Sequence, residues 1–245
     1  MVIGVIPARL DSKRFPKKIL ADIGGKPMVI RVAEQAAKAK KLDKVIIAID
    51  AKETKQALSE YNFDLILTSK KHATGTDRVG EVAKKELDAE IIINIQGDEP
   101  LLSPKLIDQL VDVVNTPNVM VATIVSRKLT VTDLLDPNVV KAILDENQNT
   151  KDFKRNVFDM EIGAVYRHIG MYGFKRNALF LLNSLNPSER EQKKSLEQFR
   201  ALDHGVSIKA LITDCEQIAV DTPEDLSKVL EIMNMDLNNK YKMDQ

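Results

Sequence analysis

Apolar runs alternate with segments of helical periodicity along the first part of the chain. The apolar runs have the length of buried strands and span residues 2–6, 44–49, 65–67 and 91–95. The segments between them place apolar residues on one helical face and span residues 28–38, 52–60, 77–87 and 104–114. Strands that are apolar on both faces and alternate with helices are typical of a parallel sheet with helices on both sides. The pattern therefore predicts an α/β fold.

The regular alternation ends after residue 115. Further strand-like segments span residues 119–125, 139–144, 166–174 and 206–212, and helical ones span 191–201 and 222–234. Residues 145–165 are polar and show no clear pattern. We therefore predict a single domain over residues 1–245, with a central, mostly parallel sheet flanked by helices and a smaller mixed sheet inserted into it. In this interpretation residues 1–115 and 218–237 form the core, and residues 119–212 form the insert.

Composition narrows the class of protein. Hydrophobic residues make up 44% and charged residues 29% of the 245, a profile typical of globular proteins, and the net charge is zero. A zero net charge argues against a broad nucleic-acid-binding surface. The single cysteine, Cys215, allows no intrachain disulfide, and we expect it to be at least half-buried. No apolar run is long enough to span a bilayer, and the first strand begins at Val2, so we expect a cytoplasmic protein without membrane contact.

A basic loop follows the first predicted strand. Its five cations are Arg9, Lys13, Arg14, Lys17 and Lys18. Open α/β sheets bind their ligands at the carboxyl ends of the strands, where this loop lies. Arg and Lys side chains both pair with phosphate oxygens, so a polyphosphate would neutralise the loop. An ordinary basic surface loop is the alternative interpretation, and the position after the first strand favours the phosphate site.

Carboxylates end two other apolar runs. Asp98 and Glu99 follow the fourth predicted strand, and Asp221 follows an apolar run that we interpret as a further strand. Residues 222–225 have their own explanation, because Thr-Pro-Glu-Asp is a typical helix start with a capping box. Hard oxygen ligands at strand ends suit magnesium, although a plain turn would also explain the first pair. Asp221 becomes a second ligand if both strands lie in the main sheet.

Two further segments carry polar groups of interest. Thr74, Gly75 and Thr76 lie where the third strand gives way to a helix, whose N-terminus favours a hydrogen-bond acceptor. His72, just before them, is a possible base, and a surface histidine is the simpler interpretation. On the predicted helix 191–201, Glu197 and Arg200 are three residues apart, so we expect them to pair on the helix face.

The order of these blocks resembles the bacterial 3-deoxy-manno-octulosonate (Kdo) cytidylyltransferases from Val2 to about Leu230. The matching blocks are Pro7–Arg9 with Ser12, Arg14, Pro16 and Lys18; Ala21–Met28; His72 with Gly75–Arg78; Gln96–Pro100; Pro137–Lys141; His168–Gly170; Leu196–Gln198; and Val220–Asp225. The resemblance implies a nucleotide-diphosphosugar transferase-like fold, CTP, Mg²⁺ and a homodimer. It also implies synthesis of CMP-Kdo and pyrophosphate from CTP and Kdo for lipopolysaccharide.

The resemblance also assigns roles to individual residues. The implied catalytic residues are Arg9, Lys18 and Asp98. The implied nucleotide-binding residues are Ala8, Arg9, Arg14, Lys18, Thr74, Gly75, Thr76 and Asp98. The implied sugar-binding residues are Gln96, Arg155, His168, Glu197 and Gln198. The implied magnesium ligands are Asp98 and Asp221. On this basis the core binds the nucleotide, and the insert binds the sugar and forms the dimer contact.

One segment departs from the family pattern. The family has an aromatic-Ser-Arg segment followed shortly by Ile-Pro, whereas this chain has Phe153-Lys154-Arg155-Asn156-Val157-Phe158. Lysine replaces the serine, and the proline is absent. A related acidic sugar, such as an 8-amino analogue of Kdo or another ulosonic acid, therefore stays open as the substrate. A third alternative is an inactive regulatory homologue.

Overall fold

The computed structural model describes residues 1–12, 14–157 and 165–243. Its strands are β1 (Val2–Ala8), β2 (Lys44–Ile49), β3 (Asp64–Leu67), β4 (Ile91–Asn94), β5 (Val121–Ser126), β6 (Lys141–Leu144), β7 (Thr150–Lys154), β8 (Val165–Lys175) and β9 (Ile208–Thr213). Its helices are α1 (Met28–Ala36), α2 (Lys52–Ala57), α3 (Gly75–Lys85), α4 (Pro104–Asn115), α5 (Val131–Leu135), α6 (Arg176–Ser184), α7 (Glu189–Lys194), α8 (Phe199–Asp203) and α9 (Pro223–Met243). A short 3₁₀ turn spans Lys18–Leu20.

The strands of the described residues form one sheet. Its main path runs β3-β2-β1-β4-β8-β5-β9, and β6 pairs with β7 and β8 beside that path. The β1, β2, β3 and β4 pairings and the β5–β9 pairing are parallel, whereas β8 runs antiparallel to β4 and β5. The predicted α/β fold with a mostly parallel central sheet is therefore confirmed. The strands of the second half extend this sheet instead of forming a separate one, because β8 inserts between β4 and β5.

Helices cover both faces of the sheet. Successive residues of a strand point to opposite faces, so Ile46 and Ile47 belong to two different apolar clusters. Val29 of α1 packs in the cluster of Ile47, and Val79 of α3 packs in the cluster of Ile46. Burying each such side chain contributes about 1.5–3 kcal/mol to the free energy of unfolding. The two apolar clusters hold the strands rigidly, and the loops at the strand ends are built on that support.

The second half contains elements that the sequence pattern does not predict. β7 lies inside the segment 145–165, and no helix is predicted at the positions of α5 and α6. The predicted helix 191–201 is divided into α7 and α8. Ser195 between them has a φ of 52°, a left-handed conformation that ends α7. Glu197 and Gln198 consequently lie at the connection between the two helices and do not share a continuous helical face with Arg200.

The approach to α9 also differs from the prediction. Residues 218–220 form no strand, but the Val220 N–H donates to the Asp98 carbonyl at 2.8 Å and brings the segment to the end of β4. The predicted capping box is confirmed, because the Asp225 N–H donates to Thr222 Oγ1 and the Thr222 N–H donates to Asp225 Oδ2.

Cys215 is exposed, so the expectation that it is at least half-buried is wrong. Among the helices of the described residues, none combines the length and the hydropathy needed to cross a membrane.

Candidate active site

Lys18 lies between two carboxylates at the carboxyl edge of the sheet. Its Nζ donates to Asp98 Oδ2 at 2.7 Å and to Asp221 Oδ1 at 2.9 Å, and its side chain is only 13% exposed. Arg14 Nη2 reaches the same oxygen of Asp221 at 3.0 Å. The structure thus joins the basic loop after β1, the end of β4 and the start of α9. The predicted neighbourhood of Asp98 and Asp221 is present, although Asp221 arrives on a loop instead of a strand.

Electrostatic contacts in this cluster favour the charged forms of Lys18 and Asp221. Burial lowers the pKa of Lys18, but the contacts with Asp98 and Asp221 outweigh burial and raise that pKa above its ordinary value. Burial raises the pKa of Asp221, and the contacts with Lys18 and Arg14 outweigh it, so the net pKa is lowered. Glu99 is different: burial and the charge of Asp98 raise its pKa to about 8. Glu99 is therefore mostly protonated at neutral pH, whereas Asp221 is ionised.

An open cleft of about 280 Å³ lies in front of this cluster. The cleft is lined by Pro7, Arg9, Asp11, Ser12, Lys18, Ile19, Ala73, Gly75, Gln96, Gly97 and Asp98. The Arg9 guanidinium donates to the carbonyl of His72, and Gln96 Nε2 donates to the Gly170 carbonyl at 2.8 Å. A Cβ at Gly97 would lie 3.1 Å from the Pro7 carbonyl, so glycine permits this close approach of two strand ends. The cleft presents cations suited to a phosphate chain and carboxylates suited to a hard cation.

The loop before α3 forms one wall of the cleft. The helix begins at Gly75 and is capped by Thr74, whose Oγ1 accepts the Asp77 N–H at 3.1 Å. In return, Asp77 Oδ2 accepts the Thr74 N–H at 3.1 Å. The Thr74 hydroxyl thus serves the helix cap, and Gly75 leaves the backbone of the loop open to the cleft. Ala8, at the end of β1, is buried and would offer its backbone groups alone.

His72 is not free to act as a base. Its Nε2 lies 2.6 Å from Glu81 Oε2. Burial raises the pKa of Glu81, but hydrogen bonds from the Ser69 N–H, His72 and Lys85 outweigh it and lower the pKa to about 2. The imidazole is thus engaged by an ionised carboxylate, which agrees with the simpler, structural interpretation of this histidine.

A smaller interior cavity lies behind the same loop. It is lined by Thr74, Thr76, Val121, Tyr172, Phe174, Leu182, Asn183, Glu197, Gln198, Arg200, Ala201 and Ile208. Thr76 donates its N–H to Glu197 Oε2 at 3.4 Å and its hydroxyl to Glu197 Oε1 at 3.0 Å. Burial raises the pKa of Glu197, and the hydrogen bonds from Thr76 and Thr74 oppose that rise. The structure brings Glu197 and Gln198 to the Thr74–Thr76 loop, so the expected pairing of Glu197 with Arg200 is wrong.

His168 belongs to an aromatic group next to the interior cavity. Its ring lies 5.0 Å from Phe153 and 5.4 Å from Tyr172, and its Nε2 is 3.0 Å from Thr123 Oγ1. Burial lowers the pKa of His168 to about 3, so the ring is neutral at physiological pH. Sequence reasoning missed Tyr172, which lines the cavity. The spacing could have identified it, because Tyr172 is four residues from His168 on β8, and side chains two or four residues apart on a strand share a face.

Arg155 lies apart from both cavities among the residues that the structure describes. Its guanidinium donates to the Pro137 carbonyl at 2.9 Å and to the carbonyls of Lys194 and Ser195 at 3.4 Å. The buried Lys141 donates to the Arg155 carbonyl at 2.8 Å. Arg155 therefore ties β7 to the turn that precedes Glu197. Phe158, the last residue of the departing segment, falls outside the described residues.

Asp50 and Arg78 support the basic loop, and sequence reasoning missed this function. Asp50 Oδ1 accepts the Leu10 N–H at 3.0 Å, and its Oδ2 lies 3.3 Å from Arg78 Nη2. Arg78 is fully buried, and burial lowers its pKa. Asp50 follows β2 directly, as Asp98 follows β4 closely. The position of a carboxylate at the end of a parallel strand was the signal that could have identified it.

Comparison with known proteins places this site in a family. Residues 3–209 match the family described as Cytidylyltransferase. The 3-deoxy-manno-octulosonate cytidylyltransferase of Geobacter sulfurreducens is 40% identical over 94% of this chain and 98% of its own length. The enzyme of the same name from Geotalea uraniireducens is 41% identical, again over 94% and 98%. A solved structure of CMP:2-keto-3-deoxy-manno-octonic acid synthetase complexed with CTP has a TM-score of 0.89 and 33% identity, covering 96% of this chain and 99% of that one.

The fold and these matches define the protein as a nucleotidyltransferase. The chain belongs to the family of 3-deoxy-manno-octulosonate cytidylyltransferases. The resemblance expected from the sequence blocks is thereby confirmed. The departing segment around Lys154 does not remove the chain from the family.

Proposed function

We propose that this enzyme transfers the cytidylyl group of CTP to the anomeric hydroxyl of Kdo. The observation that carries this proposal is the contact of Lys18 with Asp98 and Asp221 beside a cleft that also holds Arg9 and Gln96. Cations and paired carboxylates at one sheet edge suit a nucleoside triphosphate. The names of the relatives supply the identity of the nucleotide and the sugar.

The reaction replaces the phosphoanhydride bond between the α- and β-phosphates of CTP by a phosphoester bond to the sugar. The anomeric oxygen of the sugar attacks the α-phosphorus of CTP, the bond to the β-phosphate oxygen breaks, and the hydroxyl proton passes to solvent. Lys18 and Arg9 hold the α-phosphate and stabilise the charge that develops on it, and Arg14 holds the departing pyrophosphate. Ala8 and the Thr74–Thr76 loop present backbone groups to the cytosine. No covalent enzyme intermediate is required, so catalysis depends on positioning and charge.

Asp98 and Asp221 fit the requirements of a magnesium site. Both carboxylates contact the same ammonium, so their oxygens lie close together, and Mg²⁺ is commonly held by one or two carboxylates with substrate phosphates. Among the described residues, no cluster of three or more His, Cys, Asp or Glu offers a complete protein cage. Bound Mg²⁺ would neutralise phosphate charge and lower the pKa of the attacking hydroxyl. Lys18 would then turn from the carboxylates to the phosphates.

The sugar would lie between the open cleft and the interior cavity. Gln96 lines the cleft, Glu197 and Gln198 line the cavity, and the neutral ring of His168 lies 5.4 Å from Tyr172, which also lines the cavity. Arg155 would act on the sugar carboxylate only if its guanidinium left the carbonyls that it now contacts. In this division residues 1–115 and 218–237 bind the nucleotide, and residues 119–212 bind the sugar.

We also propose that the protein is a homodimer whose contact lies in the 119–212 part. α5 exposes two large apolar side chains, with Val131 74% and Leu135 55% exposed. Substituting Val131 by lysine should shift the sedimentation coefficient from dimer to monomer without unfolding the chain. A protein that sediments as a monomer before substitution would contradict the dimer.

Pyrophosphate release tests the proposed reaction directly. Purified protein with Mg²⁺, CTP and Kdo should release pyrophosphate, and omitting the sugar or replacing CTP by UTP, ATP or GTP should suppress the release. Parallel reactions with an 8-amino Kdo analogue and other ulosonic acids identify the preferred sugar. Absence of release with every pair would contradict the proposal and favour the inactive homologue.

A further inference from the structure

Arg200 is a buried cation that contacts two separate parts of the fold. It lies on α8, and its Nη2 donates to Glu191 Oε1 at 2.6 Å, while its Nε lies 3.0 Å from Glu191 Oε2. Its remaining terminal nitrogen, Nη1, donates to Asp77 Oδ1 at 2.9 Å. The side chains of Arg200 and Glu191 are 9% and 7% exposed. The guanidinium fork therefore links α7 and α8 to the first turn of α3.

The contact with Asp77 reaches the Thr74–Thr76 loop, which we propose to be the nucleotide loop. Asp77 uses Oδ1 for Arg200 and Oδ2 for the Thr74 N–H, so a single carboxylate joins the guanidinium to the capping box of α3. Gly75, which follows Thr74 in the chain, lines the open cleft. A displacement of Asp77 would move the cap, and the cap fixes the backbone that faces the cleft.

A second link runs beside the first. Thr76 donates to Glu197, which lies three residues before Arg200 in the turn that leads into α8. Two contacts thus hold the segment around Glu197 and Gln198 to the start of α3. Glu197 accepts from Thr76, and Arg200 donates to Asp77. The tie between Arg190 and Asp203 is different, because it joins α7 to α8 without reaching α3.

We propose that Arg200 is a positioning residue that pre-organises the nucleotide loop and the sugar-binding turn in one fixed arrangement. The inference rests on the proposed function, since it places the nucleotide against Thr74–Thr76 and the sugar against Glu197–Gln198. A planar fork is needed because it serves Glu191 and Asp77 in different directions, which the single ammonium of a lysine does not do. Pre-organisation of this kind raises the affinity for both substrates.

The principal test is Arg200→Lys with Arg190→Lys as the matched control. Arg200→Lys keeps the buried positive charge beside Glu191 but loses one arm of the fork. We expect the KM for CTP and the KM for Kdo each to rise about tenfold, the effect of losing one hydrogen bond between charged groups. The kcat should change much less. Arg190→Lys makes the same chemical change on the same helix pair and should leave both KM values unaltered.

Asp77→Asn approaches the contact from the other side. It leaves Arg200 paired with Glu191 and keeps an amide oxygen for the Thr74 N–H, so it tests the link even if Arg200→Lys does not fold. Its control is Asp203→Asn. The double variant Arg200→Lys/Asp77→Asn should be no worse in KM than the more affected single variant, because both remove one contact.

The outcomes separate this inference from the proposed function. Absence of turnover with CTP and Kdo in the unsubstituted enzyme would contradict the proposed function. Turnover in that enzyme, with unchanged KM values in folded Asp77→Asn, would overturn the positioning function. A fall in melting temperature and kcat with constant KM would assign Arg200 a purely structural function. Equal KM changes in the Arg190 and Arg200 variants would also overturn the proposal.

Discussion

The open cleft and the interior cavity lie on either side of the Thr74–Thr76 loop and differ in the side chains that line them. Gly75 lines the cleft, four of whose lining residues are charged (Arg9, Asp11, Lys18 and Asp98), and Lys18 pairs with Asp98. Thr74 and Thr76 line the cavity, whose other residues are mostly apolar or uncharged, and its two ionisable side chains, Glu197 and Arg200, are held by hydrogen bonds. The cleft is suited to binding charge that arrives with the ligand. The cavity is suited to selecting shape.

The largest expected effect lies in the carboxylates of the cleft. Asp98→Asn and Asp221→Asn keep the size of each side chain and remove the charge that we propose holds Mg²⁺. Each should lower kcat by about 10³-fold and raise the Mg²⁺ concentration needed for half-maximal rate. Glu53→Gln is the control, since Glu53 also forms an ion pair with a lysine, Lys17, but does so at the surface. A magnesium titration that is unchanged in either Asp variant would show that the substituted residue is not a ligand.

The ammonium between those carboxylates should come second. Lys18→Ala removes a cation from the proposed phosphate site and should lower kcat by about 10²-fold, because in the proposed mechanism this cation stabilises charge that develops in the transition state. Lys17→Ala is a matched control one residue away, on an exposed side chain. Turnover of Lys18→Ala near the unsubstituted rate at saturating CTP would argue that the cleft binds charge without contributing to the transition state.

The cavity side should respond in stability more than in rate. The ordinary pKa of histidine is about 6.5, and that of His168 is about 3 in the folded protein. Between these values the unfolded chain binds a proton that the folded protein does not, so the free energy of unfolding falls as the pH is lowered from about 6.5 toward 3. His168 alone contributes a slope of about 1.4 kcal/mol per pH unit in this window.

His168→Gln isolates that contribution. Urea unfolding of both proteins at several pH values between 4 and 6 should give a flatter pH dependence for the variant, because every other titrating group, Glu99 included, is common to the two proteins. Parallel curves would show that the His168 ring is protonated in the folded state. The kcat/KM of the unsubstituted enzyme should show no inflection from His168 between pH 5 and 8.

The smallest effect concerns the choice of sugar. Lys154, at the end of β7, stands where the family has serine, and an added cation disfavours a substrate with a protonated amine nearby. We therefore expect Kdo to be preferred over an 8-amino analogue. Lys154→Ser should narrow the ratio of the two kcat/KM values by about two- to fivefold, as for a partly exposed charge pair. An unchanged ratio would assign Lys154 to the surface, and a preference for the amino sugar before substitution would contradict the expectation.

Most of the cleft could be predicted from the sequence because its residues follow apolar strands directly. Parallel strands bring their carboxyl ends to one edge, so Lys18 and Asp98 were predictable neighbours although they are distant along the chain. The same rule applied to the wrong element at Asp221, where a loop hydrogen-bonded to the end of β4 replaces the expected strand. A carboxylate that ends a run of apolar residues was the useful signal in both cases.

The cavity was less predictable because its contacts join residues that no local pattern relates. Local spacing suggested that Arg200 pairs with Glu197, yet the break of the helix at Ser195 turns Arg200 toward Glu191 and Asp77. Three-residue spacing predicts a pair only when the helix is continuous. The position of β8 between β4 and β5 likewise depends on long-range pairing, which the alternation of apolar residues along a single strand does not encode.

β8 is a single continuous strand that pairs with strands from both halves of the molecule. Its last residues pair with β4, whereas Arg167 near its start pairs with both β5 and β6. The hairpin of β6 and β7 therefore cannot shift relative to β1–β4 without bending β8. The ladder to β5 is already interrupted between Ile169 and Tyr172, so a bend there breaks fewer hydrogen bonds. Such a bend would move His168 with the hairpin and leave Tyr172 with β4. The distance between the His168 and Tyr172 rings would therefore report how far the hairpin has moved toward β4.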